Sequence, residues 1–346
     1  MEKTIKIGNR KVGKGHPVFV IAEVGSNHDC KFERAKELIK LSKDAGADAV
    51  KFQSFTAEGL FNPLKPDGDK WIPHPAYKII ESLTLPEDWH YKLKEYADSI
   101  GIVFLSAPFD EERADLLNKI GVPAFKIASG DLTNDVLLKQ VAAYKKPVII
   151  STGAAYLGEV ERAVDIVRNE GNDEIALMHC VSLYPPKFED SNIMAMDTMA
   201  NAFQVPVGYS DHTQGWTVPI AAVALGACII EKHITISRNL KGPDHPYALE
   251  VNEFKTMVNE IRNLEKALGD GIKRPTGNEM GERIGARRSI YANTNIKKGA
   301  KIKMDMLKLV RHAYGLEPRH IECIIGKTAK RDIKAHEIIK WEDIDS

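Results

Sequence analysis

Short apolar runs recur along this chain at intervals of about 30 residues, the length of one βαβ unit. Eight of them stand in order: VFVIAE, ADAVKFQ, IVFLS, AFKIAS, PVIIST, IALMHC, VPVGYSDH and CIIEKH. They are rich in Val, Ile and Ala and do not alternate cleanly with polar residues. That is the pattern of parallel strands covered on both faces. Between them lie segments with apolar residues at helical spacing. These are FERAKELIKLSKDAG, PEDWHYKLKEYADSIG, EERADLLNKIG, NDVLLKQVAAY, LGEVERAVDIVRNEG, WTVPIAAVALG and NEFKTMVNEIRNLEKALG. Pro86 suits a first helical turn, and Gly46, Gly101, Gly121 and Gly226 suit helix ends. The pattern predicts an α/β chain whose first 269 residues form a (β/α)8 TIM barrel, near the ~250 residues typical of that fold.

The pattern breaks in three places. TIKIGNRKVG, ahead of the first strand, reads as a short hairpin that lids the barrel bottom. The connection from Ser54 to Leu85 holds FNPLKPDGDKWIPHPAY and is too long for a simple turn, so it reads as a lid or binding loop. Beyond Gly269 the chain becomes polar and Gly-containing over 270–285, a linker, and then β-rich over 286–346. That last part repeats itself imperfectly. ANTNIKKGAKIKMDML (292–307) aligns with AKRDIKAHEIIKWEDI (329–344), with Ile296 over Ile333 and Ile302 over Ile339. Two related halves predict a small pseudo-symmetric module. Its size is marginal for stability alone, so it is expected to dock on a partner surface.

Charge and cysteines narrow the function. Net formal charge is zero, yet residues 286–346 carry 14 Lys/Arg against 8 Asp/Glu. No aromatic or basic motif of a nucleic-acid reader accompanies that excess, so nucleic acid is not the expected partner. A solvated basic surface comes first, and attraction of an anionic substrate second. Cys30, Cys180, Cys228 and Cys323 form no CxxC pair, which argues against zinc ribbons and redox dithiols. No signal core or membrane-length apolar run is present, so a reducing cytoplasm is the expected home and no membrane is implied.

The strand ends carry the chemistry, because in a barrel they face one mouth. His212 and His233 end consecutive strands. With Asp211 and Asp244 nearby, they are candidate ligands for a divalent cation such as Mn2+ or Mg2+ with open positions. Lys51 and Lys126 lie inside strands two and four, and each needs an anionic partner from the protein or a ligand. One reading is a Schiff-base lysine. The other is a phosphate or carboxylate clamp, favoured by the hydroxyls and backbone N–H groups of Ser129-Gly130 and Ser151-Thr152-Gly153. Glu23 ends strand one and Asp244 follows strand eight, so either could be a general base that positions water. His179 ends strand six and is a further catalytic candidate. Tyr184, in the loop after strand six, could hydrogen-bond a polyol.

IAEVGSNHDCKFERAKELI, AGADAVKFQ, FKIASGD, ISTG, GYSDHT, EKHIT and GPDH resemble the signature segments of the sialic acid synthase family, which includes N-acetylneuraminate, legionaminate and pseudaminate synthases. The resemblance runs over essentially the whole chain. The last 60 residues resemble the family's antifreeze-like (SAF, β-clip) domain, with DIKAHEIIKWEDI close to its repeat pattern.

The resemblance implies condensation of phosphoenolpyruvate with an N-acylated amino sugar, giving a nine-carbon 2-keto acid and phosphate. It places phosphoenolpyruvate at Lys51, Lys126, Ser129 and Ser151, and the metal at His212 and His233. It sets Glu23 and Asp244 beside the metal-bound water or the reacting carbons, and Gln53 and Tyr184 along the sugar. It also implies a homodimer with swapped C-terminal domains, in which Arg311 of one copy reaches the other's barrel mouth. Two departures stand out. The arginine sits in Arg311-His312-Ala313-Tyr314-Gly315 rather than an Arg-Pro-Gly segment. Loop six reads HCVSLYPP, and Ser182 there weakens an assignment to N-acetylmannosamine. Competing readings are a sugar-phosphate synthase of the same chemistry, a Schiff-base lyase, and a non-enzymatic scaffold whose C-terminal module binds ice or polysaccharide.

Overall fold

The computed structural model describes residues 4–345. The chain divides into two compact units, Met1–Gly269 and Asp270–Ser346. In the first, a hairpin β1 (Ile5–Ile7) and β2 (Arg10–Val12) precedes the barrel strands β3 (Phe19–Glu23) and β4 (Ala49–Ser54). An excursion follows, with α2 (Ala57–Leu60), an antiparallel hairpin β5 (Leu64–Asp67) and β6 (Lys70–Pro73), and α3 (Tyr77–Leu83). Six more barrel strands complete the set: β7 (Val103–Pro108), β8 (Phe125–Ile127), β9 (Val148–Ser151), β10 (Ile175–Cys180), β11 (Val207–Asp211) and β12 (Ile229–Thr235). All their pairings are parallel, in the order β7-β4-β3-β12-β11-β10-β9-β8. β7 and β8 lie side by side and nearly close the ring. This is the expected TIM-type barrel.

Helices α1 (Phe32–Asp44), α4 (Glu87–Ile100), α5 (Glu111–Lys119), α6 (Asp135–Ala143), α7 (Leu157–Asn169), α9 (Thr217–Ala224) and α10 (Val251–Leu268) fall on the segments with helical spacing. One more helix, α8 (Ala195–Phe203), has no counterpart in the sequence reading. Its signals are weak: no side chain caps its start, and it ends on Gln204 in the left-handed region rather than on Gly or Pro.

Two apolar layers follow from strand geometry, since successive side chains point to opposite sheet faces. Val20, Val50, Phe104, Phe125, Ile150, Leu177 and Ile230 face outward and pack with the helices. Phe19, Ile21, Ala49, Leu105, Ala124, Ile149, Ala176, Met178 and Ile229 fill the interior together with Ile5, Ile7 and Val12 of the hairpin. The hairpin thus plugs the barrel bottom, as its sequence suggested. The long excursion after β4 is largely exposed and contributes none of the residues that line the cavity described below.

The second unit pairs β14 (Arg288–Ala292) with β15 (Leu307–Arg311) (β13, Leu249–Glu250, is a two-residue addition to β12). Its core holds Ile290, Ile296, Ile302, Ile324, Ile333 and Ile339. The internal repeat is visible as structure. Ile296 and Ile333 bridge each other, donating and accepting backbone hydrogen bonds of 2.8 Å both ways. Short 3-10 turns stand at the equivalent positions Met304–Met306 and Trp341–Asp343. Residues 270–285 belong to this unit and include most of a short helix, α11 (Met280–Ala286), whose Ile284 carbonyl accepts from the Ala313 N–H.

Candidate active site

The interior positions of the strands continue upward into a cavity of ≈ 750 Å³. Going up each strand by two residues predicts which side chains reach it. Ile21 leads to Glu23, Ala49 to Lys51 and Gln53, Ala124 to Lys126, Ile149 to Ser151, Met178 to Cys180, and Ile229 to Glu231 and His233. Gly208 leads likewise to Ser210 and His212. All of these line the cavity, with Ser129, Gly130, Tyr184, Asp244 and Tyr247 from the following loops.

The floor is ionic. Lys126, from β8, crosses the barrel to β12, where its Nζ lies 2.9 and 3.0 Å from the two carboxylate oxygens of Glu231. Lys51 Nζ lies 3.6 Å from Glu231 and 2.8 Å from Glu23 Oε2, a charge contact rather than an aligned hydrogen bond. Gln53 Nε2 donates to Glu23 Oε1 at 2.8 Å, and the Ser210 hydroxyl donates to Glu231 at 3.1 Å. All four charged groups are nearly inaccessible to solvent.

Burial drives their proton affinities apart. It pushes the Glu23 carboxyl up, more than Lys51 pulls it down. It works against the Glu231 carboxylate too, but Lys126 and Lys51 outweigh it and hold that group down at about 2. Burial lowers Lys126, while Glu23 and Glu231 overcome burial at Lys51 and raise it. The lysines therefore have protein anions as partners.

Beside this floor are two donor-rich turns. Ser129 Oγ accepts from the Gly153 N–H at 3.0 Å. Any side chain at Gly153 would collide, since a Cβ there would come 2.3 Å from Ser182 Oγ and 2.8 Å from Ser129 Oγ. Ser151 Oγ is buried, has no hydrogen-bond partner and lines the same cavity.

Across the cavity stand the two histidines, their ring centres 5.4 Å apart. Burial lowers His212 to about 3 and His233 to about 4, so both imidazoles are neutral at physiological pH. The His212 Nδ1–H donates to the Val181 carbonyl at 3.2 Å, which leaves the Nε2 lone pair available. His233 Nδ1 is buried without a hydrogen-bond partner and sits 3.9 Å from Asp244 Oδ2. Neutral rings with available lone pairs beside a carboxylate fit a divalent cation. Among the described residues no group of three or more His, Cys, Asp or Glu is gathered closely enough to hold a metal ion by itself.

Asp244 is gripped by the backbone N–H and hydroxyl of Ser26 at 2.8 and 2.9 Å, and by the Tyr247 hydroxyl at 2.9 Å. Gly25, at φ +53°, passes so close that a Cβ would lie 2.5 Å from Asp244 Oδ2.

Three expectations change, at His179, Thr152 and Asp211. His179 and Thr152 end strands but sit one residue out of phase with the interior set. His179 Nε2 bonds the Ser191 carbonyl at 3.0 Å, and Thr152 Oγ1 donates to the Met178 carbonyl at 3.1 Å. Both line a second, outer cavity of ≈ 820 Å³ rather than the barrel's. Asp211 also faces outward, where its carboxylate is 2.5 Å from the buried Lys232 ammonium, so it does not join the two histidines. Arg311 lies exposed at the end of β15, in the C-terminal unit. Conversely, Glu231, Ser210 and Tyr247 line the cavity with no role foreseen. The two-residue step from Ile229 was enough to point to Glu231.

The NeuB family pattern matches residues 38–273, and the SAF domain pattern matches residues 287–345. The chain is 42% identical to the N,N'-diacetyllegionaminic acid synthase of Legionella pneumophila, over 98% of this chain and 99% of that one. It is 37% identical to a pseudaminic acid synthase of Campylobacter jejuni, over 98% and 99% respectively. The crystal structure of N-acetylneuraminic acid synthetase from Leptospira borgpetersenii, in complex with citrate, superposes with a TM-score of 0.75 at 37% identity, covering 82% of this chain and 95% of that one. A polar barrel mouth of this make, a SAF domain and whole-length likeness to named synthases lead to one conclusion: the chain is an enzyme of the NeuB family.

Proposed function

We propose that this enzyme makes a nonulosonic (sialic-type) acid by joining phosphoenolpyruvate to an N-acylated amino sugar, with release of phosphate. One observation carries the reading. Two buried lysines and the Ser129 and Ser151 turns share a single cavity with two neutral imidazoles and a clamped carboxylate. The lysines and hydroxyls suit the phosphate and carboxylate of phosphoenolpyruvate, and being held in place they need little reorganisation as charge moves.

His212 and His233 would hold a Mn2+ or Mg2+ ion. When bound, that ion supplies Lewis-acid polarisation of the sugar's aldehyde oxygen. Tyr184, Gln53 and Asp244 orient the open-chain sugar so that C3 of phosphoenolpyruvate meets its aldehyde carbon. Water then adds at C2, and Glu23, pushed up by burial, is placed to take its proton. Phosphate departs through C–O cleavage. Lys51 and Lys126 stay ion-paired to carboxylates, which favours the clamp over a Schiff base, for which a neutral amine is required.

The likeness to legionaminate and pseudaminate synthases, together with Ser182 in loop six, favours a 2,4-diacetamido-trideoxyhexose over N-acetylmannosamine as acceptor. Arg311 would act from the swapped C-terminal unit of a second copy. Among the described residues no helix is long and apolar enough to cross a membrane, and no disulfide forms. A reducing cytoplasm suits those features.

The test is direct. The protein is incubated with phosphoenolpyruvate, Mn2+ and a panel of 2-acetamido and 2,4-diacetamido hexoses, and phosphate release is followed. Sugar-dependent phosphate with a new 2-keto acid is expected. Trapping of a covalent pyruvate adduct by borohydride would instead establish a Schiff-base lyase.

A further inference from the structure

Tyr247 ends the short turn His245–Tyr247, three residues beyond Asp244. Its ring is buried in the cavity wall, 5.0 Å from the His233 ring and edge-on to it, and 5.7 Å from Tyr184. Its hydroxyl donates to Asp244 Oδ1, while both donors of Ser26 hold Oδ2. Each oxygen of the carboxylate is therefore tied, one to its own loop and one to the loop after β3. The loop itself is anchored behind the turn. His245 is fully buried, with Nδ1 2.7 Å from Thr235 Oγ1 and Nε2 3.1 Å from Asp29 Oδ1. A carboxylate held from both sides has one orientation before substrate arrives. Pre-organisation of that kind is what a sugar-orienting group needs.

We propose that Tyr247 is a positioning residue for the acceptor sugar, acting through Asp244. This rests on the proposed role of Asp244 toward the sugar. Tyr247 keeps the Asp244 carboxylate in the single rotamer that meets the sugar, and phosphoenolpyruvate on the lysine side of the cavity does not depend on it.

Tyr247→Phe removes the hydroxyl and keeps the ring. A crystal structure of the variant should show Asp244 turned or split between rotamers. The sugar KM should rise roughly tenfold, the scale of a lost hydrogen bond to a charged group, with the phosphoenolpyruvate KM unchanged. Ser26→Ala, which leaves the backbone donor in place, should move the sugar KM the same way by less. An unmoved Asp244 in Tyr247→Phe, or an equal rise in both KM values, overturns the proposal. If the wild-type protein releases no phosphate with any sugar of the panel, the functional reading fails. The Asp244 rotamer in the variant crystal then decides the positioning claim by itself.

Discussion

Lys126 and Glu231 meet across the barrel, from β8 and β12, which stand four strands apart in the ring. Neither is exposed, and Lys51 and Glu23 complete a group of two ammonium and two carboxylate charges. Removing one member leaves a buried charge without its partner, which costs about 3–5 kcal/mol. Glu231→Gln is therefore expected to lower unfolding stability by roughly 3 kcal/mol in urea denaturation. The double variant Lys126→Met with Glu231→Met should recover most of that stability while phosphate release stays absent. Equal stability of Glu231→Gln and the wild type would refute the account.

A second buried relay sets an acid limit on stability. His90 is fully buried behind the barrel wall, with Nδ1 3.0 Å from the Pro86 carbonyl and Nε2 2.6 Å from the Ser54 hydroxyl. The carbonyl can only accept, so His90 is the neutral Nδ1–H tautomer with Ser54 donating to Nε2. Burial lowers its pKa from 6.5 to about 4. Between those values the unfolded chain binds a proton that the folded chain does not. Stability from this group is complete above pH 6.5 and falls as pH drops toward 4, by about 3 kcal/mol in all. Unfolding curves between pH 7 and 4.5 should show a shallower pH slope for His90→Gln than for the wild type. Parallel slopes would exclude His90 as a source.

Much of this site was legible in the sequence, and the part that was not has a physical reason. The apolar runs and helical spacing located the barrel, and the rule that strand ends share one mouth located Lys51, Lys126, His212 and His233. That rule says nothing about which way a side chain points. Strand phase decides it, and phase is fixed by the interior apolar set that runs from Ile21, Ala49 and Ile229. Without it, Asp211 looked equal to His212, and His179 stood as a catalytic candidate. Glu231 was passed over because a carboxylate inside an apolar run gains meaning only when Lys126 is known to lie opposite. Tyr247 carries no motif, and its role appears only once the turn brings its hydroxyl to Asp244.

The phase argument makes a prediction of its own. His179 faces the outer cavity and bonds the Ser191 carbonyl, while Ser151, on the neighbouring strand, faces the barrel cavity. His179→Asn should keep phosphate-release activity within about threefold of wild type. Ser151→Ala removes one donor from a proposed anion site and should cost roughly tenfold or more in kcat/KM for phosphoenolpyruvate. Comparable losses in both variants would mean that the outer cavity serves the reaction.

Cation binding can be checked without turnover. The paired neutral rings of His212 and His233 predict one Mn2+ site per chain, seen by the loss of the free-ion paramagnetic signal on titration. His233→Ala removes one of two imidazoles and should weaken that site strongly. His90 is not among the residues lining the cavity, and His90→Gln should leave the site unchanged. Undiminished Mn2+ binding by His233→Ala would assign the cation to other groups.

The C-terminal unit tests whether an internal repeat carries equal energetic weight in its two halves. Ile302 and Ile339 occupy equivalent positions of the repeat, and both are fully buried in its core. Ile296 and Ile333, also equivalent, bond to each other at its centre. Truncation of a buried Ile to Ala costs about 2–5 kcal/mol, with the spread set by how far the site can collapse. If the halves are balanced, Ile302→Ala and Ile339→Ala should destabilise this unit by similar amounts. Hydrogen exchange on the full chain can resolve that, because amides over 288–345 should lose protection while those of β3, β4 and β12 keep theirs. A large loss for one variant and none for the other would show that a single half holds the core and the second is laid upon it.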